Sequence, residues 1–206
     1  MKRNRSKPVF SPRRSLFLPN TGWQAPEWNR SLERPKRPSG WWFTILKTKE
    51  QLYQAVLLYV YTRIRETEQQ LGLENQPPVE ALVQLVKWSV RYHAEHADFM
   101  RIICMENMQR GKWLLASGDL KRLNKSALSL LEHILHRGQE QGIFQPALEA
   151  RDVHRLISSF SFYQVSNFYS FNSLYLDGPL PDIDDEALIT HHCELAVKAI
   201  LRFVIA

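Results

Sequence analysis

The sequence predicts an all-α protein: a helical bundle from Thr48 to the C-terminus, preceded by an irregular, basic head rich in proline and tryptophan. Three observations carry that expectation. Apolar residues recur at spacings of three and four through the body, residues that start and stop helices bracket those runs, and nothing alternates with the period of a strand over a useful length.

The head, Met1 to Lys47, holds six of the eleven prolines and four of the six tryptophans. Pro8, Pro12, Pro19, Pro26, Pro35 and Pro38 each remove a backbone donor and bias the preceding residue away from helix, so no helix is expected to run between them. The head also carries eleven Lys/Arg against Glu27 and Glu33, a net +9, in a chain of formal charge +6. The basic character therefore belongs to the head, and the body is slightly acidic.

The texture changes at Thr48. Thr48 and Gln51 stand at capping-box spacing, which starts a helix whose stripe is expected at Leu52, Val56, Tyr59, Val60 and Arg63 and whose end lies near Gly72. After the turn NQPP a second helix is expected from about Val79 to His96, with Leu82, Leu85, Val86, Ser89 and Val90 inward. A third covers about Ala97 to Gln109 and stops near Gly111, and a short one surrounds Trp113. A long helix follows from about Leu120 to Gln141, its inner side formed by Leu123, Ala127, Leu130, Leu131, Ile134 and Leu135. The next runs from about Ala150 to Phe171, and after the loop DGPLPDIDD the last spans Glu186 to Val204. About six main helices must pack on one another.

Two cysteines, Cys104 and Cys193, make neither a disulfide framework nor a zinc cluster, and a reducing cytoplasm is the expected location. No apolar run approaches the roughly 20 residues of a membrane span, and the N-terminus lacks the apolar block of a signal peptide. No nucleophile elbow, Walker-type glycine loop or zinc-protease helix occurs, so no enzyme and no cofactor are expected.

Four stretches of the body, TKEQLYQAVL, ADFMRIICMENMQRGKWL, ILHRGQEQGIFQ and ARDVHRLISSFSFYQVSNFYSF, occur in the order seen in one branch of a known family. The chain from Thr48 onward resembles the C-terminal sensor and dimerisation domain of the TetR family of bacterial transcriptional regulators. The resemblance implies a ligand-responsive, DNA-binding homodimer, ordinarily a repressor, that releases operator DNA when a small molecule occupies the helical domain. It also implies three short helices, including a helix-turn-helix, ahead of Thr48.

Those helices are not legible. Where they belong stands SLFLPNTGWQAPEWNRSLERPKRPSGWWFTIL, and two explanations compete: a replaced or degenerate head, and a slip of reading frame. Joining the last base of each codon to the first two of the next, from Leu18 to Leu32, permits the reading FAEHGLAGTRVESIA, which resembles the family's first helix, turn and second helix. The same offset across Trp42 to Lys49 permits VVHYFENK, the turn expected before the capping box. Bases that yield stop codons in the offset frame would end this hypothesis.

In the family, the lysine at the first turn of the linking helix sits against DNA phosphate, and Lys49 beside Thr48 matches that place; an ordinary solvated lysine is the alternative. The cationic head, with Trp23, Trp28, Trp41 and Trp42 for stacking, is compatible with unselective nucleic-acid binding and equally with a tail that binds nothing. Candidates for a sensor pocket are Trp88, Tyr92, Phe99, Ile103, Asn107, Trp113, Phe160, Tyr163 and Asn167, with core packing as the competing role of each; Glu106 serves either a pocket or a helix end. His93 with His96, His133 with His136, and His191, His192 and Cys193 lack a converging third ligand, so surface or interface histidines are expected and no metal. Ser159, Phe162, Ser166, Leu188, Leu195 and Ile200, on the last two helices, are the interface candidates: the resemblance implies that these helices meet their copies about a two-fold axis, with burial against the chain's own earlier helices as the alternative. A DNA-free ligand-binding module that pairs with intact regulators as a dominant-negative subunit is the alternative function.

Overall fold

A computed structural model describes residues 48–206, and among them every regular element is helical. The expectations for Met1 to Lys47, the offset reading and the four tryptophans included, lie outside the described residues.

Thr48 is extended (φ −134°) and its hydroxyl accepts the Gln51 N–H at 3.2 Å, which opens α1, Lys49–Gln69. The buried face of α1 is not the expected stripe. Leu57, Tyr61, Ile64, Arg65 and Glu68 face inward, while Leu52, Val56, Tyr59 and Arg63 are exposed. Apolar residues flank this helix on more than one side, so two faces satisfy a period of 3.6, and packing against the neighbouring helices selects between them. Gly72, in the left-handed conformation, turns the chain into a single 3-10 turn, Leu73–Asn75.

Pro78 begins α2, Pro78–Glu95, where a missing N–H costs nothing, and all five inward residues expected for it are buried. The third helix, α3, covers Ala97–Met108, and a tight turn with Arg110 and Gly111 both at positive φ leads to the short α4, Lys112–Ala116. Ser117 caps α5, Gly118–Glu140, by accepting the Leu120 N–H.

The expected helix from 150 to 171 is two helices: α6, Ala150–Ser166, and α7, Phe168–Tyr175. They meet at Asn167 (φ −110°, ψ 6°), whose amide donates to the Ser166 hydroxyl at 2.9 Å. Adjacent Ser and Asn offer local hydrogen bonds that compete with helix continuation. Asp185 caps the last helix, α8, Glu186–Val204, by accepting the Leu188 N–H at 3.0 Å. The chain end is pinned by an isolated antiparallel bridge between Phe144 and Ile205 and by Gln145, whose N–H donates to the Val204 carbonyl.

The bundle has two apolar centres. One joins α2, α5, α6 and α8 through Leu82, Val86, Leu131, Ile134, Val153 and Ile200; the other joins α1, the end of α2, α3 and the start of α5 through Leu57, Tyr61, Phe99, Met100 and Leu120. α2 packs most extensively on α6 and α8, and α1 on α5. Trp88 packs against both centres, and between them a partly open space remains.

Candidate functional site

That space is a cavity of about 310 Å3 walled by α1, α2, α3, α5 and α6. Its apolar lining comes from both centres, with Ile64, Leu85, Met100 and Ile157 among the contributors. A larger depression of about 610 Å3 runs along the outer face of α2, but it is an open groove and encloses nothing.

The polar groups of the cavity are few and specific. From α1 come Arg65 and Glu68, joined by a hydrogen-bonded ion pair of 2.5 Å and both buried. Burial pushes the guanidinium pKa down and the carboxyl pKa up, each opposed by the charge of the other. Arg65 Nε is sealed from solvent and has no partner. From α2 comes His93, whose Nδ1 is likewise sealed and unpartnered, and whose pKa is pushed down to about 4 by burial and then by the Arg65 charge. From α6 comes His154, lowered by the same two causes, with Nδ1 3.4 Å from the Ser158 hydroxyl. Both imidazoles are therefore neutral at pH 7. Ser89 and Ser161 also line the wall, but their hydroxyls donate to the carbonyls of Leu85 and Ile157 one turn back.

Of the residues expected to form a pocket, Trp88, Phe99 and Ile103 line this cavity. The other six lie elsewhere. Tyr92 stacks on His96 outside it, with ring centroids 4.0 Å apart. Asn107 is exposed on the outer side of α3 and donates to the Ile103 carbonyl, so its amide finds its partner in its own helix. Trp113 packs edge-on against Tyr53 and donates to Gln109. Phe160 packs on the α2–α8 centre beside His192, Tyr163 is half exposed, and Asn167 marks the α6–α7 junction.

Glu106 is not a cavity residue but a helix-end residue: fully buried, it accepts the N–H groups of Trp113 and Leu114 at the start of α4. His93 is a correction of another kind, since it faces the interior rather than the surface. Arg65, Glu68 and His154 carried no expectation, although charges one helical turn from Leu57, Tyr61 and Ile64 mark an apolar face that holds something polar. Among the described residues no three His, Cys, Asp or Glu side chains gather around one point.

Thr48 and Lys49 are both exposed at the start of α1. On α6 and α8, Ser159 and Leu195 are exposed, and Phe162, Ser166 and Leu188 are half-buried. Ile200 does not reach the surface; at 1% exposure it belongs to the protomer's own core. Tyr163 on α6, Tyr169, Phe171 and Leu174 on α7, and Phe203 on α8 are all more than 40% exposed. No helix among the described residues is long and apolar enough to cross a membrane.

Comparison with known proteins agrees with this architecture. Residues 78–200 match the family model described as tetracyclin repressor-like, C-terminal domain. Among curated proteins, the chain is similar to the HTH-type transcriptional repressor NicS of Pseudomonas putida, 28% identical over 156 residues, which covers 75% of this chain and 73% of that protein.

Proposed function

Since the chain belongs to the TetR family, whose members are non-catalytic DNA-binding regulators, we propose that it is a ligand-responsive transcriptional regulator acting as a homodimer, with repression as its mode. The observation that carries this reading is the partly open cavity that has part of α1 as its wall. α1 begins at Lys49 behind its cap Thr48, the positions matched to the family's DNA-phosphate contact, and three to five turns later contributes Tyr61, Ile64, Arg65 and Glu68 to the cavity. An occupant that prefers one position of α1 over another shifts the equilibrium between DNA-binding states, because only differential affinity can do so. Residues 48–206 form the sensing and dimerisation domain, and the dimer face is the exposed side of α6 and α8.

A DNA-free module, pairing with intact regulators and removing them from DNA, is the second reading. The proline-rich composition of Met1 to Lys47, which shows no helix-turn-helix pattern, favours it. An electrophoretic shift assay against the DNA upstream of the gene, repeated at rising salt, separates the two. Sequence-selective retardation supports the regulator; no retardation supports the module; salt-sensitive, unselective retardation assigns binding to the cationic head alone. The nucleotide sequence across Leu18 to Lys49 decides whether the head is read out of frame.

A further inference from the structure

We propose that the segment from Asp182 to Glu186 is a lever through which Ile183 carries displacements of α8 to α1, so that self-association and the position of the helix that begins at Lys49 are energetically coupled. This rests on the reading of α8 as part of a dimer face.

The segment crosses from one apolar centre to the other. α8 packs extensively on α2 and α6 and buries Ile189, Cys193, Ala196 and Ile200 in the centre shared with those helices. Ile183, just ahead of α8, packs instead on the centre built from α1, the end of α2, α3 and the start of α5. There it lines a surface depression of about 570 Å3 together with Tyr59, Val60 and Arg63 of α1 and Phe99 of α3. From Leu176 to Asp185 every residue except Pro181 and Ile183 is exposed. Burial at Ile183 therefore fastens the loop to the body beside α1.

The lever is short and has little slack. Ile183 and Asp185, the cap of α8, are two residues apart, at most about 7 Å of chain. Asp185 accepts the Leu188 N–H at 3.0 Å and donates its own N–H to the Asp182 carbonyl at 3.1 Å, which ties the turn around Ile183 to the first turn of α8. The pair of Glu186 with Arg91 holds that turn to α2, but its carboxylate is exposed and the restraint is weak. A shift of α8 by about 1–2 Å, a size common at subunit interfaces, then drags Ile183 along α1 or pulls it from its seat. The second course returns apolar surface to water and is resisted. α1 thereby receives two inputs, one from the cavity through Ile64 and its neighbours and one from the dimer face through Ile183. Such coupling is reciprocal: whatever fixes α1 also biases association.

Hydrogen–deuterium exchange of the full chain tests the lever, read on peptides of α1 above and below the dimer dissociation constant measured by analytical ultracentrifugation. In the wild type α1 is expected to exchange at least fivefold faster in the monomer. Inserting Gly-Gly between Ile183 and Asp184 keeps the side chain and the cap but adds about 7 Å of slack. The difference is expected to vanish in this variant while α5 keeps its wild-type protection. Ile183→Ser is expected to behave likewise, and Ile183→Val to retain the difference. Coupling that survives the insertion or Ile183→Ser would overturn the proposal, as would a wild-type dimer whose α1 exchanges alike in both states; in each case the dimer reading stands. A wild-type chain that is monomeric at every concentration removes the dimer reading and the lever together.

Discussion

Glu106 Oε2 accepts the backbone N–H of Trp113 at 3.2 Å, and the same oxygen takes the Leu114 N–H at 3.3 Å. A fully buried carboxylate thus closes the start of α4, where free N–H groups and the positive end of the helix dipole meet it. The neighbouring Tyr53 phenol, on α1, is pushed up to about 12, first by burial and then by that carboxylate. Glu106→Ala leaves both backbone N–H groups without their acceptor and is expected to cost about 2–4 kcal/mol. Glu106→Gln keeps an acceptor oxygen and is expected to lose about half as much. Urea unfolding followed by far-ultraviolet circular dichroism reads both; a loss below 1 kcal/mol for the alanine variant would refute the capping role.

Stability should fall between pH 7 and pH 4 because of His93. Its folded-state pKa, about 4, lies below the ordinary 6.5, so the unfolded chain binds the proton more readily. The resulting stabilisation is full above about pH 6.5 and is lost as pH falls toward 4, up to about 3 kcal/mol in all. His154 acts in the same direction, while Glu68, whose carboxyl is raised by burial, offsets part of the loss at the acid end. His93→Phe should flatten the dependence of Tm on pH over this interval. An unchanged slope would mean that another group controls it.

Gly138 stands inside α5, where alanine would ordinarily gain up to about 1 kcal/mol. Here the Phe144 ring lies where a Cβ would be, so the substitution must displace a buried aromatic side chain. Overpacking of this kind costs about 1–3 kcal/mol, and the contact outweighs the propensity. Gly138→Ala should lower Tm; a rise would show that Phe144 can move away freely.

Leu195 and Ile200 lie on one helix and should respond in opposite ways. Leu195 is 48% exposed and Ile200 is 1% exposed. Leu195→Asp is expected to weaken self-association with little change in stability, as read by size-exclusion chromatography with light scattering at micromolar concentration. Ile200→Ala is expected to cost about 2–5 kcal/mol through the cavity it leaves. A wild-type monomer at that concentration would rule out the interface on α6 and α8.

Much of the fold was legible because helix signals are local. The cap at Thr48 and the inward residues of α2 can be read from neighbours within two turns. The candidate cavity was legible only in part. Of the pocket candidates, Trp88, Phe99 and Ile103 line it, because aromatic and apolar residues mark a buried face in the sequence, whereas the amides of Asn107 and Asn167 have partners in their own or the adjacent turn.

By itself the sequence determined the helical class, the order of the elements and the family likeness, because these follow from periodicity, capping chemistry and motif order along the chain. Only the tertiary structure decided which face of α1 turns inward, that Ile200 is core and Leu195 surface, and that Arg65, Glu68, His93 and His154 surround one cavity. The physical reason is separation. Residues from α1, α2 and α6 are brought together by packing between helices, and a buried charge is recognised only once its surroundings are known.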